Sequence, residues 1–171
     1  MGSVYVSSPL GFSDLGRIAL NQLYAQLSSD GMEIRDPWDW PGQRDPTVKI
    51  KTADLLLTAR LGGEGRDWSV SHEIAARNVT ELLAADVVLA VLDGADVDSG
   101  VAAEVGYAVA SRKPVIGLRT DDRATADSDG YLVNLQLTHL ISHSGPPHGC
   151  IVTSVLQAVD ELKRVLAETG A

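Results

Sequence analysis

Hydrophobic positions come along this chain in two periods, and the clearest block is the unbroken apolar run Val87-Val-Leu-Ala-Val-Leu92. It is short for a helix and rich in β-branched residues, so it reads as a strand buried on both faces, as in a parallel sheet. Val101 to Ala110 then repeats at helical spacing, with Asp98 or Ser99 as N-cap and Gly100 permitting a close approach to the helix start. The same alternation runs outward in both directions. Ser3-Val-Tyr-Val-Ser-Ser8 predicts a first strand ending at Pro9. A helix capped by Ser13 or Asp14 follows through Leu27, with Leu15, Ile18, Ala19, Leu23 and Leu27 as its apolar set. Met32 to Arg35 is a short second strand, and Ser69 to Ala84 a helix with Ile74, Ala75, Val79, Leu82 and Leu83 as its stripe.

Beyond the central unit, Lys113 to Leu118 predicts the next strand and Leu137 to Ser142 a last, shorter one. Ser144 to Gly149 breaks the chain, and Val152 to Ala167 closes it as a helix. Residues 45–68 are the least patterned. Thr47 to Leu61 has helical composition, and Gly62-Gly-Glu-Gly65 lacks the Lys-Ser/Thr that a phosphate-cradling loop needs, so it reads as a hinge. Strands alternating with helices in this way predict a doubly wound, five-stranded parallel sheet. No repeat or linker splits residues 1–171, which read as a single domain.

Composition narrows the partners. The 171 residues carry 14 basic and 23 acidic side chains, a net charge of −9, which argues against nucleic acid or an anionic membrane as a partner. The single cysteine, Cys150, excludes an internal disulfide and fits a reducing compartment. No charged segment followed by an apolar stretch opens the chain, and no apolar run approaches about 18 residues. A cytoplasmic protein is expected.

The chemistry-bearing residues gather where the central strand gives way to its helix. Asp93, Asp96, Asp98 and Glu104 fall at the strand's carboxyl end and in the first turns after it, the crevice where open α/β sheets bind ligands. Glu104 lies among Ala102, Ala103, Val105, Gly106 and Ala108, so it is expected half-buried, with desolvation raising its pKa and the helix N-terminus opposing the rise. A dry carboxylate beside a second one is what glycosyl transfer requires: one attacks or stabilises a cationic sugar carbon, the other handles the leaving group. A solvated acidic loop with a structural Glu is the plain alternative. In Asp36-Pro-Trp-Asp-Trp-Pro-Gly42, tryptophans beside Asp36 and Asp39 either stack on and hydrogen-bond a nucleobase or pack as a rim. His139, His143, His148 and Cys150 fit no zinc spacing, Asp93, Asp96 and Asp98 make only half a calcium loop, and no Gly-x-Ser-x-Gly elbow is present. Neither metal nor cofactor is expected.

The run Asp98-Ser-Gly-Val-Ala-Ala-Glu-Val-Gly-Tyr-Ala108 resembles the signature of the nucleoside 2-deoxyribosyltransferases, Asp-x-Gly-Thr-x-x-Glu-x-Gly, whose glutamate is the nucleophile. Val4-Tyr-Val-Ser-Ser-Pro9 is similar to that family's first strand, Ile-Tyr-x-Ala-Gly-Pro, and Asn78 stands where the family places an Asn or Asp that touches the base. The likeness covers residues 4–9, 78–123 and Asn134-Leu135 and leaves out 36–70. Val101 replaces the commoner Thr, and Ser7-Ser8 replace Ala-Gly. The resemblance implies a flavodoxin-like three-layer sandwich and exchange of 2-deoxyribose between nucleobases, by double displacement through a glutamyl-deoxyribosyl intermediate. It makes Glu104, Asp98 and Tyr5 catalytic, with Tyr5 orienting Glu104. It makes Asn78, Ser8, Gly100 and Asn134 substrate-binding, Asn134 being supplied by a neighbouring subunit of a homo-oligomer, and the tryptophan loop adds Asp36 to that set. The implied substrates are 2′-deoxynucleosides and nucleobases.

Related N-glycoside hydrolases acting on nucleotides share fold and glutamate, so hydrolysis is the rival activity and a non-catalytic nucleotide sensor the rival class. Serines 7 and 8 would suit a phosphate, whereas an acidic mouth of Asp93, Asp96, Asp98 and Glu104, with Asp36 and Asp39 facing it, would repel one.

Overall fold

The computed structural model describes residues 1–38, 69–123 and 130–171. The elements are β1 (Ser3–Ser7), a 3-10 turn (Pro9–Phe12), α1 (Asp14–Ser29), β2 (Glu33–Arg35), α2 (Ser69–Ala84), β3 (Val87–Val91), α3 (Ser99–Ala110), β4 (Val115–Leu118), α4 (Leu135–Ser142), β5 (Cys150–Val152) and α5 (Val155–Thr169). The strands are all parallel in the order β2-β1-β3-β4-β5. The expected doubly wound sheet is therefore present. The helix expected over Thr47–Leu61, the Gly62–Gly65 hinge, Asp39 and Trp40 lie outside the described residues.

Alternation along the strands divides the core in two. Val4, Val6, Val87, Leu89, Val91, Ile116 and Leu118 face α1 and α5, meeting Leu20, Leu23, Leu27, Val159, Leu162 and Val165. Tyr5, Val88, Ala90, Leu92 and Val115 face α2, α3 and α4, meeting Leu82, Val101, Val105, Leu137 and Ile141. Each buried Val or Leu contributes about 1.5–3 kcal/mol, so both faces of the three central strands are firmly covered. The chain leaves β1 outward to β2 and then returns past β1 to β3, from which it continues to β4 and β5. The crevice above β1 and β3 is the switch point of this topology.

Three expectations are corrected. Leu137–Ser142 is not a strand but part of α4, because Asn134 caps a helix there: its side chain accepts Gln136 N–H at 2.8 Å, and Leu137 and Ile141 bury one helical turn apart. The fifth strand is instead Cys150–Val152, too short to show a period. On α1 the buried stripe is Gly16, Leu20, Leu23 and Leu27, while Leu15 is 80% and Ile18 57% exposed and Ala19 also faces solvent. Gly16 sets this rotation, since a Cβ there would fall 2.2 Å from the Leu10 carbonyl of the 3-10 turn. On α2 the inward line is Ile74, Asn78 and Leu82, one turn apart, whereas Ala75, Val79 and Leu83 are exposed. Among the described residues no helix is long and apolar enough to cross a membrane.

The loop from β3 to α3 is anchored from below by Arg119, the largest fully buried side chain. Its guanidinium donates to the carbonyls of Leu92 (2.6 Å), Gly94 (3.2 Å) and Arg123 (3.1 Å). Asp93 accepts from Thr120 N–H (2.6 Å), Thr120 Oγ1 (2.6 Å) and Asp121 N–H (3.0 Å), which ties the same loop to the end of β4. Arg119→Met, leaving those carbonyls without a donor, is expected to lower unfolding stability by about 3 kcal/mol. Urea denaturation measures it, and a loss below about 1 kcal/mol would show that the loop does not depend on this side chain.

Candidate active site

Two strand positions and one helical turn build the site. Tyr5 and Ser7, two apart on β1, point to the same face of the sheet, and both are fully buried. On α3, Asp98 is the N-cap: its Oδ1 accepts Gly100 N–H (2.9 Å) and Val101 N–H (3.1 Å). Gly100 is the tight position of the cap, where a Cβ would lie 3.0 Å from that oxygen. Val101, Val105 and Ala108 bury against the sheet, and the turn between Val101 and Val105 carries Glu104 back over the end of β1.

There its carboxylate is gripped on both oxygens. Tyr5 Oη donates to Oε1 at 2.9 Å and Ser7 Oγ donates to Oε2 at 2.5 Å. Asn78, inward on α2, supplies a further side-chain hydrogen bond. Only the amide NH₂ can face a carboxylate, so the orientation of Asn78 follows, and its Oδ1 is left buried without a partner. An unmet buried acceptor costs about 1–3 kcal/mol, which an incoming N–H or O–H would relieve.

Burial drives the electrostatics. It pushes the Glu104 carboxyl above its ordinary value, against the pull of the Ser7, Tyr5 and Asn78 hydrogen bonds, with the Asp98 charge adding to the rise. Tyr5 is pushed far above the phenol range by burial and by the adjoining Glu104. It therefore stays a neutral O–H donor.

A cavity of about 150 Å³ opens beside Glu104. Asn78, Asp98, Glu104 and Ser8 supply its polar lining, and Phe12, Pro37, Trp38, Ile74 and Val101 its apolar wall. Trp38 is held in place by Nε1–H donating to the Ser8 carbonyl (3.2 Å) and by an edge-on contact with Phe12, ring centres 4.6 Å apart. Gly11 makes room for it, since a Cβ there would lie 2.1 Å from the indole. A flat apolar wall facing a row of acceptors suits a heteroaromatic ring with polar edges.

Glu104, Asp98, Asn78, Ser8 and Gly100 thus share one cavity, with Tyr5 beneath Glu104. Asp36 does not reach it, and Asn134, expected to serve a neighbouring subunit, lies outside this chain's own cavity. Asp36 accepts from Tyr24 Oη and Trp38 N–H, both at 2.8 Å, and lies across Trp38 in a separate cavity of about 50 Å³. Asn134 is committed to capping α4 and is exposed. Among the described residues the expected acidic mouth also shrinks, because Asp93 is occupied by Thr120 and Asp121 while only Asp98 and Glu104 of its carboxylates line the cavity. Ser7 joins the site as a Glu104 partner beyond the residues expected above, and its two-residue spacing from Tyr5 carries the signal. Trp38, from the loop that follows β2, packs on Phe12 and lines the cavity, whereas Phe12 and Ile74 carry no sequence signal for the site.

The sequence model of the nucleoside 2-deoxyribosyltransferase family matches residues 4–136. Curated proteins give no match. Among solved structures, a conserved protein from Enterococcus faecalis V583 superposes with a TM-score of 0.68 at 24% identity, covering 96% of this chain and 98% of that one. A 2-deoxyribosyltransferase from Leishmania mexicana gives 0.60 at 21% identity, with 96% and 97% covered. A 2-deoxyribosyltransferase from Bacillus psychrosaccharolyticus gives 0.60 at 16%, with 92% and 90% covered. At these identities the superpositions speak to the shared fold.

Asp98 has a structural task that must be separated from any chemical one. Asp98→Ala is expected to cost about 1 kcal/mol of stability through the lost cap, and Asp98→Asn, an equally good cap, almost none. Thermal unfolding of both variants checks this; equal losses would mean that the cap does not account for the stability effect.

Proposed function

The chain belongs to the nucleoside 2-deoxyribosyltransferase family, and from that membership we propose that it moves 2-deoxyribose from one nucleobase to another, with Glu104 as the nucleophile. The observation that carries this reading is the carboxylate of Glu104: desolvated, gripped on both oxygens, and set at the edge of a cavity with one flat apolar wall.

In the first displacement a Glu104 oxygen forms a bond to C1′ of a 2′-deoxynucleoside as the C1′–N bond breaks. The bonding pair goes to the base nitrogen, which takes a proton. Asp98 relays that proton from a water through Oδ2, since the helix N–H donors occupy only Oδ1. The transition state has oxocarbenium character, and without a 2′-hydroxyl the cation forms more readily. In the second displacement the nitrogen of another base attacks C1′, loses its proton, and releases Glu104 as a carboxylate. Two inversions retain configuration. Trp38 stacks on the base, and Asn78 Oδ1 accepts from its edge.

We take the working enzyme to be a homo-oligomer in which Asn134 serves a neighbouring protomer's site. Tyr131, Leu132 and Leu135, all exposed around Asn134, support that reading as an apolar surface open to a second copy. Co-expressing Asn134→Ala with Glu104→Gln is then expected to regenerate activity in mixed oligomers that each parent lacks, because one site keeps both residues. Activity no higher than that of the parents would place Asn134 outside any shared site.

The deciding experiment incubates the protein with deoxythymidine and adenine and separates the products by chromatography. Deoxyadenosine is expected. Free deoxyribose as the only sugar product would make water the acceptor and the protein a hydrolase. No turnover of any nucleoside would leave a nucleotide hydrolase or a binding protein, which release of base from deoxycytidine 5′-monophosphate tells apart. Glu104→Gln should fold as the wild type and lose at least about a thousandfold in rate, about 4 kcal/mol of barrier. A variant retaining a tenth of the activity would remove Glu104 from the chemistry.

A further inference from the structure

We propose that Ser7 is a positioning residue of this reaction, its hydroxyl holding Glu104 as an oriented, ionised carboxylate. The inference rests on the functional reading above and gives Ser7, one of the two hydroxyl donors noted there, a role of its own in the reaction.

Ser7 ends β1 with no solvent exposure. A hydroxyl there, on a strand covered on both faces, costs free energy unless it finds a partner. Its partner is Glu104 Oε2, at 2.5 Å, within the short range of hydrogen bonds to ionised oxygen. Ala90 is its register neighbour on β3, so a methyl at position 7 would fit beside it without the hydroxyl. The first strand of the family that residues 4–9 resemble, Ile-Tyr-x-Ala-Gly-Pro, has Ala at this place.

The two donors from β1 divide the carboxylate, Tyr5 on Oε1 and Ser7 on Oε2. Held at both oxygens, the group cannot rotate about its terminal bond without breaking one contact. The surrounding charges do not help to keep it ionised. Asn78 from α2 is neutral, and Asp98 at the start of α3 is a like charge. Behind Tyr5 stand Asp36 and Glu81, the latter paired with Arg35 of β2 at 2.9 Å. With burial favouring the protonated acid, hydroxyl and amide donors are what oppose it. The same donors serve the second displacement, because they stabilise the carboxylate as it leaves C1′.

Two variants test this. Ser7→Ala removes the donor, and Ser7→Cys keeps a side chain of similar shape with only a weak S–H donor. The titration of Glu104 is read directly from the carboxyl stretch in infrared difference spectra, with Glu104→Gln as the blank. In parallel, the pH dependence of kcat/KM on deoxythymidine and adenine is followed. Ser7→Ala is expected to move the Glu104 titration and the acid limb of the profile upward by about one pH unit. Ser7→Cys should move them in the same direction. The sign follows from the donor: losing a bond to the charged form raises the pKa, so activity begins to fall at a higher pH on acidification.

A purely structural serine predicts that Cys behaves as the wild type. A Glu104 titration unmoved in both variants overturns the proposal whatever happens to kcat. The two readings fail separately. A wild type that turns over no nucleoside sinks the transferase assignment on which this rests, and an unmoved titration in a wild type that does turn over sinks the role of Ser7 alone.

Discussion

The account turns on one carboxylate kept out of water. Burial raises the free energy of the ionised form of Glu104, and hydrogen bonds from Ser7, Tyr5 and Asn78 oppose that rise. Neither half is useful alone. A fully solvated Glu would be a weak, freely rotating nucleophile, and a buried Glu without donors would be a neutral acid. Tyr5 can serve as a donor because the same burial, with the Glu104 charge beside it, raises its own pKa and holds its proton.

The rest of the fold is arranged so that this balance holds. Two donors come from the β1 end of the switch point, the third from α2, and the carboxylate itself from α3. None of these elements adjoins another in sequence. Their relative placement depends on the sheet register, which sets Tyr5 beside Val88 and Ser7 beside Ala90, and on helices packed by Val101, Val105 and Leu82. Arg119 and the bonds of Asp93 to Thr120 and Asp121 fix the loop that delivers the Asp98 cap. A displaced loop would rotate α3, and with it the direction of Glu104.

Strong periods and strong punctuation made much of this legible. Val87–Leu92 could be little but a central strand, and Asp98-Ser-Gly before a small-residue helix marked the cap, so Asp98, Gly100 and Glu104 were placed from the chain alone. Helix faces were less readable. On α1 and α2 several apolar residues compete for the inward side, and which side wins is settled by contacts distant in sequence: Gly16 against the Leu10 carbonyl, and Asn78 against Glu104. Leu137–Ser142 misled because its short apolar run fits either period, and the Asn134 cap that decides the matter acts on the backbone. Ser7 looked like a phosphate ligand for a related reason, since its acceptor lies on another element and belongs to a side chain 97 residues away.

The central claim is that Glu104 bonds covalently to the sugar, and trapping that species tests it most directly. A 2′-fluoro arabinosyl nucleoside carries an electron-withdrawing group that slows both displacements through destabilisation of the cationic transition state. Incubating the protein with it alone, digesting and mapping the peptides by mass spectrometry should place a fluorosugar adduct on the peptide containing Glu104. Addition of a free nucleobase should then remove the adduct and yield a new nucleoside. An adduct on a different residue, or none while the analogue is still slowly turned over, would contradict the account.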